Sequence, residues 1–287
     1  MNIPFRQYIK ENEFILHCGA TGTELMKKGG AVPGAVNSIL HPEMVTAVEE
    51  SYVQCGAKIS LTNTFSMNPI YASTHVKDYG WEEINERGAE LALKASQGKS
   101  YVFANFGPVG DMLVPFGNLE PEDAYNAYRK QAEVMERYPL DGYSVQTFFS
   151  LDDMKIAVKA IRSISDRPIM ASLVFNKNGA TMMGDTPEKC YEELLPLGID
   201  VLGHNCGEID AFSLGDLLGP LATKAEIPLI ACPNAGIPKS VDGTPVYDMS
   251  VAEFREGICY LKSKGIRILG GCCGVSPDHI RGIADLF

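Results

Sequence analysis

Eight short apolar runs rich in β-branched residues recur along the chain, and each is followed by a longer segment patterned for a helix. The runs are Phe14–Cys18, Lys58–Thr62, Tyr101–Asn105, Gly142–Gln146, Pro168–Leu173, Asp200–Gly203, Pro228–Ala231 and Arg267–Leu269. Between them, Trp81, Ile84, Gly88, Leu91 and Ala95 recur at helical spacing, as do Tyr125, Tyr128, Ala132 and Met135. Thr186-Pro187 and Ser276-Pro277 each place a capping hydroxyl before a proline at a first helical position. Strand then helix, repeated around the chain, predicts an α/β fold: a single (β/α)8 TIM barrel over residues 1–287. The competing architecture is a doubly wound open sheet. It is weakened because no G-x-G-x-x-G follows a strand. No internal repeat, low-complexity tract or linker divides the chain.

Barrels of this kind place their chemistry where strands end and the following loops begin. The first run ends in Cys18-Gly19-Ala20-Thr21 and the second in Thr62-Asn63-Thr64-Phe65. The fourth ends in Gln146-Thr147, and the sixth in His204-Asn205-Cys206-Gly207. The seventh leads to Pro233-Asn234-Ala235-Gly236, and the eighth to Gly270-Gly271-Cys272-Cys273-Gly274. Polar, glycine and cysteine residues thus gather at one rim.

Cys206, Cys272 and Cys273 lie on loops that a barrel brings close together. Three thiolates suit zinc, and three protein ligands with a fourth position open are a catalytic arrangement. Such a site can bind a thiol and keep it deprotonated at neutral pH, whereas zinc hydrolases more typically use His and carboxylate ligands. Two other readings fit an adjacent cysteine pair: small buried hydrophobes, or a redox disulfide. Cys55 and Cys259 fall in helical patterns and read as core. Cys190 on a helix and Cys232 at a strand end carry no assigned role.

The same loops resemble the homocysteine S-methyltransferase family, in particular the homocysteine-binding domain of cobalamin-dependent methionine synthase. GATGTELMKKGG, TNTF, FGPVGDMLVPFGNL, QTFFSLDDMKIAV, VFNKNGATMMGDTP, HNCG, PNAG and GGCCGVSPDHI occur in that order and cover nearly the whole chain. The resemblance implies a barrel whose zinc is held by Cys206, Cys272 and Cys273, with the substrate thiol in the open position. It implies substrate contacts from Cys18, Gly19, Ala20, Thr21, Asn63 and Gln146, and makes Asn234 a resting contact for the metal.

Three positions depart from the family pattern. Cys18 stands where the first motif begins with Asp, Leu61 where the second begins with Glu, and Gln146 where Glu precedes Thr147. The first and third of those acids are the ones expected to hold a homocysteine ammonium. An ammonium buried without its carboxylate costs about 3–5 kcal/mol. Two substrates follow: a thiol without a free amine, or homocysteine held by rearranged contacts. Cys18 also offers itself as a fourth ligand that closes the zinc site. His204 reads either as a polar partner beneath the metal loop or as a satisfied core histidine.

The formal net charge of -11 argues against a nucleic-acid partner, which needs clustered Lys and Arg. No apolar stretch is long enough to span a membrane, and no secretory signal is evident. The protein is therefore expected in the cytoplasm, with its cysteines reduced. The methyl donor is expected to arrive on another molecule: first a methyl-corrinoid (cobalamin) carried by a separate protein, second a free sulfonium or betaine. A non-catalytic zinc-bearing subunit of a methyl-transfer complex is the remaining class.

Overall fold

The computed structural model describes Met1, residues 3–241 and residues 244–287. Its strands are β1 (Ile15–Leu16), β2 (Ile59–Leu61), β3 (Tyr101–Phe106), β4 (Gly142–Phe148), β5 (Ile169–Leu173), β6 (Val201–Asn205) and β7 (Leu229–Cys232). A short hairpin of β8 (Lys239–Val241) and β9 (Thr244–Val246) follows, and then β10 (Ile268–Leu269). The eight-stranded sheet runs β1-β10-β7-β6-β5-β4-β3-β2, with every neighbouring pair parallel.

Its two ends meet. His17 bridges Ile59, Lys58 N–H donates to Leu16 O at 2.8 Å, and Cys18 N–H donates to Ile59 O at 3.0 Å. The sheet is therefore wrapped into the expected barrel, and each barrel strand overlaps one of the eight apolar runs. Helices clothe it because each buries one stripe. In helix Trp81–Ser96 the buried stripe includes Ile84, Gly88, Ala92 and Ala95. In helix Pro121–Met135 it includes Tyr128, Ala132 and Met135. Between these helices Gln131 Nε2 donates to Asn85 Oδ1 at 3.0 Å, and to Thr64 O at 3.1 Å. That joins two helices to the loop after β2.

One cap follows expectation: the Thr186 hydroxyl accepts from Lys189 N–H at 3.3 Å. At Ser276 the backbone N–H instead donates to His279 Nδ1 at 3.2 Å. An N-terminal helix, Phe5–Glu11, covers the barrel end opposite the cysteines. Phe5 packs edge-on against Tyr101 and Phe103, with ring centroids 5.2 and 4.7 Å away. Both partners lie in the first half of β3. One end of the barrel is thereby sealed with aromatic packing, leaving the strand-end rim for chemistry.

Candidate functional site

The Sγ atoms of Cys206, Cys272 and Cys273 all lie within 4.8 Å of one another, and Cys206 and Cys273 are 3.9 Å apart. Thiolates bound to one tetrahedral zinc at about 2.3 Å stand roughly 3.8 Å apart, so the donor set fits that ion. Main-chain bonds weave the three loops together. Cys206 N–H donates to Cys232 O at 3.1 Å, Cys272 N–H to Pro233 O at 2.9 Å, and Ala235 N–H to Cys273 O at 2.9 Å. Cys206 itself adopts φ +65°, and Gly207 follows at +71°. This left-handed pair turns the chain sharply as it leaves β6.

Polar side chains support the cluster. Asn205 Nδ2 donates to Thr147 Oγ1 at 2.7 Å and approaches Cys272 Sγ at 3.6 Å. Asn205 Oδ1 accepts from Thr147 N–H at 2.7 Å, and Thr147 is another non-glycine residue at positive φ. His204 is fully buried, and both of its ring nitrogens are hydrogen-bonded, one of them to Cys206 O. It is thus both a satisfied core histidine and a polar partner beneath the Cys206 loop. Asn234 Nδ2 donates to Gly207 O at 2.7 Å. Its buried Oδ1 has no protein partner, and the side chain lies beside the Cys206 sulfur. The unpaired Oδ1 leaves Asn234 with a free acceptor close to one of the three sulfurs, Cys206.

The thiols do not ionise alike. Hydrogen bonds from Cys272 and Cys273 favour a thiolate on Cys206 and pull its pKa far down. Those two donors are correspondingly held protonated beside it, Cys273 pushed up to about 11. Without metal, the cluster carries one negative charge rather than three.

A cavity of about 300 Å³ opens beside the cluster, and all three cysteines line it. Of the residues expected to meet substrate, Gly19, Ala20, Thr21, Asn63 and Gln146 also line it. Asn63 Nδ2 donates to Gly34 O at 3.0 Å and to Ser38 Oγ at 3.1 Å. Gln146 Nε2 donates to Asn105 Oδ1 at 2.8 Å. Asn234 lines a neighbouring, smaller cavity with Gly207 and Pro233.

Cys18 is buried and is not part of the cavity lining or of the sulfur cluster among the described residues. Burial and the neighbouring Glu49 push its thiol up to about 12. Cys259, read from its helical pattern as core, is exposed instead, on the outer face of helix Val251–Ser263. The buried residues of that helix are Phe254, Gly257, Ile258 and Leu261, so the stripe passes Cys259 by. Lining residues that the sequence did not single out include His17 and Cys232 at strand ends, and Pro33, Gly34, Ala35 and Tyr71 on the segments that follow β1 and β2.

A second cavity of about 260 Å³ lies at the same rim, lined by Met112, Phe116, Phe149, Met182 and Met183 with Asp111 and Asp153. Phe116 and Met182 are 67% and 68% exposed, and with the exposed Met112 and Phe149 they gather apolar surface around this cavity.

The sequence model for homocysteine S-methyltransferase matches residues 15–287. Methionine synthase from Mycobacterium leprae (strain TN) is 28% identical over 267 residues, which are 86% of this chain and 22% of that protein. Methionine synthase from Mycobacterium tuberculosis (strain ATCC 25618 / H37Rv) is 28% identical over 290 residues, 93% of this chain and 24% of that protein. The chain thus spans under a third of the length of these curated relatives. Among solved structures, the metallated form of the homocysteine methyltransferase MmuM from Escherichia coli superposes with a TM-score of 0.82 at 17% identity, covering 99% of this chain and 100% of that one. At that identity the likeness speaks for the fold, a TIM barrel.

Proposed function

The chain belongs to the homocysteine S-methyltransferase family, and from that premise we propose that it is a zinc-dependent S-methyltransferase acting on homocysteine or a related thiol, with the methyl group delivered by a methyl-corrinoid on a separate protein. The observation that carries this reading is the convergence of three thiol sulfurs within 4.8 Å on the wall of a cavity. Zinc held by Cys206, Cys272 and Cys273 would lower the pKa of a coordinated substrate thiol, so that it stays a nucleophilic thiolate at neutral pH.

The remaining work falls to the protein's own residues. The Gly19–Thr21 turn, Asn63 and Gln146 shape the space for the body of the thiol. The His204 and Asn205 hydrogen bonds fix the loops that aim the sulfur. The thiolate attacks the methyl carbon, a C–S bond forms, and the electron pair of the broken bond stays with the donor. Such a transfer gains most from alignment and from exclusion of water. The exposed Phe116 and Met182 on the same rim support a macromolecular donor. No helix among the described residues is long and apolar enough to cross a membrane, and we place the reaction in the cytoplasm.

The test is a titration of zinc-loaded protein with thiols, following metal–sulfur coordination by X-ray absorption. Gain of one sulfur with release of a proton is expected. An unchanged metal spectrum would mean a closed, structural site. Turnover with a free sulfonium and no partner protein would replace the corrinoid donor.

A further inference from the structure

The cavity beside the sulfur cluster is lined by Gly, Ala, Thr, Pro and apolar side chains, amides, aromatic rings and thiols. Among the described residues, no Asp, Glu, Lys or Arg lines it. We infer that the acceptor is a thiol without an ammonium group, because no carboxylate lines this cavity to pair with one and the charge of the sulfur cluster is committed to the metal that would hold the acceptor's own sulfur. The inference rests on the thiol-methylation reading and narrows its substrate.

Apart from the sulfur cluster, the polar groups that line the cavity are neutral and largely committed. Gln146 spends its amide nitrogen on Asn105 Oδ1, leaving the side-chain oxygen as its remaining polar atom. Asn63 spends its nitrogen on Gly34 O and Ser38 Oγ. His17 Nδ1 lies 3.0 Å from Cys18 O, and since a carbonyl only accepts, that nitrogen carries the proton. Amide oxygens can accept a hydrogen bond from an ammonium, but they supply no charge. Moving an ammonium from water into such a site lowers affinity by a factor of about a hundred or more relative to a site with a carboxylate.

One acid does sit nearby. Glu49, on helix Pro42–Gln54, is 3% exposed and neighbours Cys18, and neither carboxyl oxygen has a hydrogen-bond partner. It lies outside the cavity lining, and burial raises its pKa well above the carboxylate range, which keeps it neutral. It therefore offers no counter-charge in the state described.

The experiment compares homocysteine with its desamino analogue, sulfanylbutanoate, on the zinc-loaded protein. Binding is read as sulfur gained by the metal in X-ray absorption and as proton release. The desamino thiol is expected to bind at least about tenfold more tightly. The Gln146→Glu variant, which places a carboxylate in the lining without a change of size, is expected to raise homocysteine affinity by at least about tenfold while zinc content stays unchanged. Homocysteine binding as tightly as the desamino thiol to the unmodified protein overturns the inference and leaves thiol methylation standing. If Glu49→Gln then abolishes that binding, Glu49 is a hidden counter-charge and the inference falls for that reason. If neither thiol adds a sulfur to the metal, thiol activation itself fails, and the substrate inference fails with it.

Discussion

His204 Nε2 donates to the carbonyl oxygen of Cys206 at 2.8 Å, while Nδ1 of the same ring accepts from Phe175 N–H at 3.1 Å. One buried imidazole thus joins the first zinc-ligand candidate to the loop after β5, and its two partners fix the tautomer. Burial lowers its pKa to about 4, so the ring stays neutral at physiological pH. The contact matters because Cys206 sits at φ +65°. A non-glycine residue there carries strain on the order of 1–2 kcal/mol, which its surroundings must offset.

Replacing His204 with Leu should therefore weaken metal binding beyond its effect on folding. The substitution leaves Cys206 O and Phe175 N–H unpaired in the interior, at a cost of about 1–3 kcal/mol for each group. Melting curves with and without zinc are expected to show a lower midpoint in both and a smaller gap between them. An unchanged gap would reduce His204 to core filling.

Zinc addition to metal-free protein at neutral pH should release about two protons per site, because Cys272 and Cys273 hold theirs while Cys206 is already a thiolate. Calorimetry in buffers of different ionisation enthalpy counts them. Cys273→Ala should cost most of the zinc affinity yet leave a cooperative melt, since the ligands lie on rim loops and the barrel core is built from other side chains. Loss of the cooperative melt on chelation would mean that the metal is structural.

Gly203→Ala should prevent the barrel from forming in its present register. A methyl group there would stand 1.8 Å from Ile230 O on β7, and backbone cannot yield that far. The expected cost is about 3 kcal/mol or more, read as loss of soluble protein or of the cooperative transition. An alanine variant with unaltered melting would show that β6 and β7 are less closely apposed than 1.8 Å implies.

The barrel was legible because parallel strands buried on both faces read as continuous apolar runs ending in glycine and polar residues. The cysteine site was legible because those ends share one rim. What escaped did so for local reasons. Helix Phe5–Glu11 begins at Pro4 without a side-chain cap and is too short to show a repeated stripe. The β8–β9 hairpin is an insertion that strand–helix alternation does not anticipate. His17 and Cys232 did not stand out because a residue at a strand end can face the cavity without any change in residue type. Cys259 shows the converse, since membership of a helix does not say which face a residue occupies.

Asp153 sets a final test in the pH dependence of stability. It lines the second rim cavity, its Oδ1 accepts from Tyr128 OH at 3.0 Å, and burial raises its pKa to about 6 despite that hydrogen bond. In the unfolded chain an Asp titrates near about 3.9. Between these values the folded protein binds the proton more tightly, so the stabilising contribution is complete below about pH 4 and is lost as pH rises through 6. At higher pH the folded state carries a half-buried carboxylate that the unfolded state would solvate fully. Asp153→Asn keeps an oxygen for Tyr128 and removes that charge. The variant should match the parent near pH 4 and exceed it by on the order of 2 kcal/mol at pH 8, measured by urea unfolding at each pH. A difference that is constant across the range would show that Asp153 does not titrate in this window and that the cavity is better hydrated than its walls suggest.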